Sequence, residues 1–552
     1  MTAAEIIKTR DNLKSARNPL VSHWEELAEL YMPFRTMSPS GIPDLNSAEE
    51  IFDTTARRAA LILANGLASL VTPREELWFE YQPPRALRND DGAVRFYRQA
   101  SENARELLEA SNFYEEIQEC YIESPVFGTT ALFIGDMDND GLYFLNQPIQ
   151  TYYIAEDHRH RVNCIYRDLT LTADQAAGDF GEQNLPEEIR KKVGTPEGMT
   201  ETFEFIHAVY PRKKRDPKNN TATNRAFASI VVCEKSKEIV VESGYEELPY
   251  AVHRYRRHGR CVWGFGPGAV AKGDPRQVNF LNQMIDAATE KAVFPPVIAP
   301  AGMEGEIGLG AMEITYIDTT DPNASNILRE WAASGRIDYA QARLEDKRSQ
   351  INQAFHVDLF QMFANRQASS SSPLTATEAS FVNNEKLSQF SPVFGRLVSE
   401  MLDPILNRIF GMMVRNQLLP TPPPSVMSIL EGGQRQGIAM PSVLYKNRIL
   451  LAMQARQNGS LMEYMNLAGP MLQLYPEAAD VLNFVQIVRD SSRNTGLPEN
   501  WINPKEKVKE IQEARAAAQQ QAQQMAQAEA AANVANKIGN TPPDARKQLG
   551  LG

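Results

Sequence analysis

Chemistry is easiest to imagine at His158, His160 and Cys164. On a strand, positions 158 and 160 would share one face, and imidazole with thiolate is a zinc-type donor set. Arg159 and Arg161 flank the histidines, however, and no second ligand pair follows, so no metal site is expected. The acidic turn Asp136-Met137-Asp138-Asn139-Asp140-Gly141 echoes a calcium loop. Its twelfth position falls on Gln147, so the bidentate glutamate is missing. Gly264-Phe265-Gly266-Pro267-Gly268 approaches a dinucleotide fingerprint, but Ala269 replaces the last glycine and Pro267 sits in the turn. A structural turn into the next helix is the expectation there. GxxxxGK[ST], GxSxG and HExxH are all absent. The chain therefore reads as non-enzymatic, with neither cofactor nor metal.

A polar stretch of another kind is Asn365-Arg366-Gln367-Ala368-Ser369-Ser370-Ser371-Ser372-Pro373. Nothing in it builds a core, and four consecutive serines favour a mobile loop. Two helices must hold it. The first, 336–363, carries Ile337, Leu344, Ile351, Phe355, Leu359 and Met362 on one face, with Arg343, Glu345, Asp346, Lys347 and Arg348 around the rest. The second opens at a Thr375–Glu378 capping box and runs through Phe381, Leu387, Phe390, Phe394, Leu397, Met401, Ile405, Ile409 and Met413 to the prolines at 420–424. Pro392 and Pro404 inside it predict a kink. These residues alone also fit an ordinary helical hairpin.

Length and charge narrow the field. The chain has 552 residues, 43% hydrophobic and 23% charged, enough for two to four domains. Its net charge of −12 argues against a protein that grips phosphate backbones, though not against one past which DNA slides. Cys120, Cys164, Cys233 and Cys261 form no CxxC pair and read as reduced thiols. No signal peptide is visible. The longest apolar stretch, Ala59 to Val71, is interrupted by Asn65, Gly66 and Ser69 and is too short to span a membrane.

Residues 1 to about 127 read as helical: Leu20–Tyr31, then Ser47–Val71 opened by a Ser47–Glu50 capping box, Asp91–Ala110 and Phe113–Tyr121. Short β-branched and aromatic runs follow at 129–134, 141–145, 149–154 and 162–171, read as one antiparallel meander. A helical insert at about 173–192 precedes strands at 202–210, 227–234 and 238–242. The basic segment 211–220 reads either as an exposed hairpin loop or as a nucleic-acid patch, and Arg254 to Arg260 is basic as well. A helix is expected at 275–293 and a strand at 312–317, so a compact β-containing segment, 294–335, sits between two helices lying side by side. Residues 425–500 read as helical. The Ala/Gln-rich tail beyond 504 reads as a frayed helix or one that packs only on copies of itself.

The order of these parts resembles the head-to-tail connector, or portal, proteins of short-tailed double-stranded DNA bacteriophages. The residues that carry the resemblance are the Trp24 helix ending at Tyr31-Met32-Pro33, Ile51-Phe52-Asp53-Thr54-Thr55-Ala56, Ala64-Asn65-Gly66-Leu67-Ala68-Ser69 with Thr72-Pro73, and Trp263-Gly264-Phe265-Gly266-Pro267-Gly268 leading to Asp274. The helix, loop and Leu374-Thr375-Ala376-Thr377-Glu378 described above complete it. It covers residues 10 to 430 or so; the tail departs from it.

The resemblance implies an α+β, predominantly helical portal fold. Residues 1–274 would form a wing, 275–293 and 336–363 stem helices, and 294–335 a clip. Residues 364–374 would be a tunnel loop, 375–424 a long kinked wing helix, and 425–552 a helical crown with the Ala/Gln-rich tail. About twelve copies would close into a ring at a capsid vertex. The partners implied are double-stranded DNA, the terminase packaging motor, a tail adaptor, and the major capsid and scaffolding proteins. No membrane is implied; the protein would sit in the virion, and in host cytoplasm during assembly. In the tunnel, Asn365, Arg366, Gln367, Ser369, Ser370, Ser371 and Ser372 would offer weak, sequence-blind contacts to DNA, with Arg366 adding backbone attraction. Two other classes fit less of the sequence: a cytosolic enzyme using His158, His160 or Asp168 in the 130–260 β region, and a helical protein-binding scaffold.

Overall fold

The computed structural model describes residues 1–35, 51–88, 90–136, 141–216, 221–293, 297–298, 329–330, 337–361, 390–429, 436–446, 487, 503 and 505–539. They fall into two compact units, Met1–Met453 and Gln454–Gly552. The described residues show an α+β fold.

Helix α1 spans Ala3–Tyr31, so it begins well before the expected Leu20. Thr2 and Glu5 close a capping box at its start. In its first half, arginines face inward. Arg10 is buried against Asp168 and Glu234, and Arg17 donates to the carbonyls of Ile149, Gln150 and Tyr152. Helix α2 covers Thr55–Val71. Residues 51–54 are not helical, so the helix does not run on from Ser47; the Ser47–Glu50 box lies outside the described residues. The carboxylate of Asp53 accepts from the Thr55 N–H instead. Strand β1 is Phe79–Gln82, helix α3 Asp91–Ala110, and helix α4 Phe113–Phe127. Helix α4 runs past Tyr121 to Gly128, whose φ of 82° supplies the left-handed cap.

The expected single meander is two sheets. Strands β2 (Thr129–Ile134), β3 (Phe144–Gln147) and β9 (Tyr250–Arg254) form one, in the order β3-β2-β9. Strands β4 (Tyr152–Glu156), β5 (Val162–Thr172), β6 (Thr202–Pro211), β7 (Phe227–Cys233) and β8 (Ile239–Tyr245) form a five-stranded antiparallel meander. Strand β9 makes the difference. All five of its residues are buried, so it shows no alternation, yet it returns to pair Thr129 with Arg254 and Phe133 with Tyr250. One face of the five-stranded sheet packs Tyr153, Tyr166, Ile206 and Ile230 on Ile6 of α1. The other is covered by the insert, which is three short helices: α5 (Ala173–Phe180), α6 (Glu187–Arg190) and α7 (Pro196–Thr200).

Helix α8 (Pro267–Val270) follows the glycine-rich turn, then α9 (Gly273–Val293), β10 (Val297–Ile298), β11 (Arg329–Glu330) and α10 (Ile337–Ala354). The expected strand at 312–317 lies outside the described residues. The expected helix 336–363 is interrupted: Phe355 and His356 form a turn, with His356 at a φ of 54°, before a short helical stretch at 357–361. The long helix is described from Phe390. A π turn, Val398–Leu402, precedes α11 (Asp403–Arg415). This is the disruption that Pro404 calls for: it lacks an N–H and its ring would crowd the Glu400 carbonyl in a regular α-helix. The helical reading of 425–500 is corrected at its start by β12 (Met427–Ile429), β13 (Gln436–Ile438) and β14 (Ser442–Tyr445). Strand β14 pairs with β1, burying Tyr445 beside Trp78 with its hydroxyl on Asp403. In the second unit, helix α12 is Lys505–Gly539.

Candidate functional site

Asn365, Arg366, Gln367, Ser369, Ser370, Ser371 and Ser372 lie outside the described residues, as does the Thr375–Glu378 box. The elements that bracket them are described. Helices α9 and α10 pack on each other, and β10 pairs antiparallel with β11, Val297 opposite Glu330 and Ile298 opposite Arg329. The chain thus leaves along α9, passes a two-stranded neck and returns along α10.

This helical arm is tied to the start of α2 by a buried carboxylate. The Asp53 side chain is 5% exposed. Arg348 of α10 donates to its Oδ2 from Nε at 2.9 Å and Nη2 at 2.6 Å. Asn282 of α9 donates to the same oxygen at 3.1 Å, and the Asp53 N–H donates to Asn279 Oδ1 at 3.1 Å. One carboxylate therefore joins the start of α2 to both arm helices. Around it, Lys347 reaches Asp274 at 2.8 Å, Arg276 reaches Glu26 at 2.7 Å, and Lys272 pairs with Glu26. Burial pushes the Asp53 carboxyl up, but bonds from Thr55 and Arg348 outweigh it and hold it below 3.8. The resulting stabilisation is present above that ordinary value and is lost as the pH falls through the lower folded one. Asp53→Asn is expected to cost about 1–3 kcal/mol and to flatten that acid limb. Denaturant unfolding across acidic pH reads both effects; an acid limb unchanged from wild type would contradict the assignment.

The arm also exposes apolar side chains. Val278, Leu344 and Ile351 are buried, whereas Phe280, Met284, Val293 and Tyr339 are each more than half exposed. Phe280 and Met284 are four apart and share a face of α9.

The residues considered for catalysis are not assembled. His158 and His160 lie in the turn between β4 and β5 rather than on a strand. His160 Nδ1 meets Glu156 Oε1 at 2.7 Å. Asp168 is held by Arg10 and by the Tyr153 hydroxyl. Burial pushes the Cys164 thiol up to about 11. Among the described residues, no group of three or more His, Cys, Asp or Glu is placed to hold a metal. A cavity of about 310 Å³ lies between α6 and β6, and a groove of about 510 Å³ lies between α2 and α4. Neither is lined by a histidine, and the one thiol, Cys233, lines the first.

Two arginines of each basic segment turn out to be paired. Arg212 meets Glu242 and Arg215 meets Glu246, and 217–220 lie outside the described residues. Arg254 is fully buried between Glu156 and Glu400, and Arg257 also meets Glu156. The glycine-rich turn is a packing device, as expected: a Cβ on Gly266 would fall 2.0 Å from the Pro125 carbonyl oxygen, and one on Gly264 2.3 Å from that of Gly128. Sequence reasoning missed the Asp53 joint. Its one local signal is an acid two residues ahead of a helix start; Arg348 reads as surface charge.

Over residues 3–502 the chain matches the family model described as bacteriophage head to tail connecting protein. The portal protein of Salmonella phage epsilon15 is 28% identical over 532 residues, covering 93% of this chain and 90% of its own. The probable portal protein of Bordetella phage BPP-1 is 27% identical over 547 residues, covering 98% and 95%. A solved structure titled "Neck of empty GTA particle computed with C6 symmetry" aligns at 10% identity and a TM-score of 0.32, covering 82% of this chain and 93% of that one. That likeness is too distant to bear on the fold. The family match spans nearly the whole chain, and the protein belongs to the bacteriophage head to tail connecting proteins.

Proposed function

We propose that this protein is a non-enzymatic portal: copies close into a ring at one capsid vertex, and viral DNA enters and leaves through it. Membership of the connecting-protein family carries this reading. The exposed apolar side chains of the arm, above all Phe280 and Met284 on one face of α9, support it, because a neighbouring copy would remove that surface from water. Residues 275–293 and 336–363, the second interrupted by the turn at Phe355 and His356, are the stem, 294–335 the clip that meets packaging motor and tail adaptor, and 364–374 the loop that faces DNA. Residues 1–274 with 375–424 are the wing, which the strands through Tyr445 join by pairing with β1, and 454–552 the crown. About twelve copies close the ring. Acidic subunits keep passing phosphates from sticking.

Deleting 366–373 tests the loop. Purified protein is expected to form the same ring, while virions carrying the deletion package or retain less DNA. Failure of the ring to assemble would make the loop structural and overturn its place in the channel.

A further inference from the structure

Residues 362–389 include the loop assigned to the channel, and both flanks of that stretch converge on one cluster of rings. On one side, the turn at Phe355 and His356 redirects the chain, so 357–361 does not continue α10. This sends Phe360 inward, 5% exposed. On the other side, Phe390 begins the described part of the long helix and is fully buried. The Phe360 and Phe390 rings meet edge to face, centroids 5.8 Å apart and planes at 90°. His356 also meets Phe390 edge to face, at 5.7 Å and 79°. Val357 and Leu359 are buried with them.

The floor of the cluster is Gly66 in the middle of α2. A Cβ built there would fall 2.1 Å from Phe360 Cδ1, 2.5 Å from Cγ and 2.7 Å from Cε1. The Cγ clash cannot be relieved by swinging the far end of the side chain; the whole ring must leave its seat. Glycine is a poor choice for a helix interior, where alanine is preferred. Here the missing methyl is what lets Phe360 sit against the α2 backbone.

We propose that Gly66, Phe360 and Phe390 are positioning residues: an aromatic clasp, seated on α2, that holds together the two described flanks of the chain from which the loop proposed to face DNA departs. The inference rests on the channel reading above. It makes Gly66, remote in sequence from the loop, a determinant of DNA passage.

The test is a double-substitution cycle of G66A and F360A, read in full-length protein and in virions. Ring assembly by purified protein is expected to be the same for all four versions. DNA retained per head is expected to fall about tenfold for G66A alone, the scale of an interaction between touching residues. Adding G66A to F360A, where every atom beyond Cβ is gone and the methyl has room, is expected to change DNA content less than about twofold. Heads that keep their DNA with G66A alone overturn the clasp. So does an equal loss from G66A in both backgrounds, because a defect of α2 itself would not depend on residue 360. A wild-type protein that forms no ring overturns the channel reading, and the clasp with it; rings that package regardless of position 66 overturn only the clasp.

Discussion

Replacing Arg254 with alanine is expected to destabilise the chain by about 3–5 kcal/mol, the cost of stripping one partner from a buried charge cluster. The Arg254 side chain is 1% exposed. It donates to Glu400 Oε1 at 2.7 Å and Oε2 at 3.2 Å, to Glu156 Oε2 at 2.9 Å, and to the carbonyls of Val262 and His160. The Arg254 N–H adds a bond to Glu400 at 2.9 Å. Glu400 lies in the π turn, Glu156 ends β4 and Arg254 ends β9, so one guanidinium joins both sheets to the long helix. Alanine leaves two carboxylates, 13% and 20% exposed, without their main cation. Arg254→Lys keeps the charge but not the planar fork, and is expected to recover only part of the loss. Denaturant unfolding measures both. Folded domains are stable by only about 5–15 kcal/mol, so the effect is large. A loss under about 1 kcal/mol for the alanine variant, the range of exposed pairs, would contradict this account of the cluster.

The acid side of the same cluster has a fixed sign. Burial pushes the Glu156 carboxyl up, but His160, Arg254 and Arg257 outweigh it and hold the group below its ordinary 4.5. Its stabilising effect is present above that value and is lost as the pH drops through the lower folded one.

Introducing Phe280→Glu with Met284→Glu is expected to leave each chain folded and to abolish the ring. Both side chains are more than half exposed in the single chain, so each change should alter chain stability by no more than about 0.5 kcal/mol. In the proposed ring a face used at one interface is used at all of them. Burying a large apolar side chain is worth about 1.5–3 kcal/mol, and a glutamate there adds an unpaired charge to a dry contact. Mass measurement of the purified variant, beside its melting curve, separates the two levels. An unfolded variant would mean that the face belongs to the core of the chain. A ring of unchanged mass would mean that the face points away from neighbouring copies.

Legibility followed burial pattern. Strand β2 stood out from its β-branched run, α3 from its period, and α9 from Val278, Leu281 and Ile285 on one face. Strand β9 did not, because Tyr250-Ala251-Val252-His253-Arg254 is buried throughout and ends in residues that look like surface. The first half of α1 did not, because Arg10 and Arg17 are inside. Strand β14 depends on a partner, β1, far away in sequence, and no local pattern announces that. The site divides in the same way. The arm helices were legible from their periodic faces. Their joint at Asp53 and the seat at Gly66 were not, since each exists only where distant segments meet. The resemblance to connector proteins came from the order of many weak signals, and the family match bears it out.

The central claim is that copies of this chain close around a hole. Native mass determination of the purified full-length protein, together with particle images, tests it most directly. The account predicts an annulus of many copies with an axial opening; a stable monomer at micromolar concentration would contradict it.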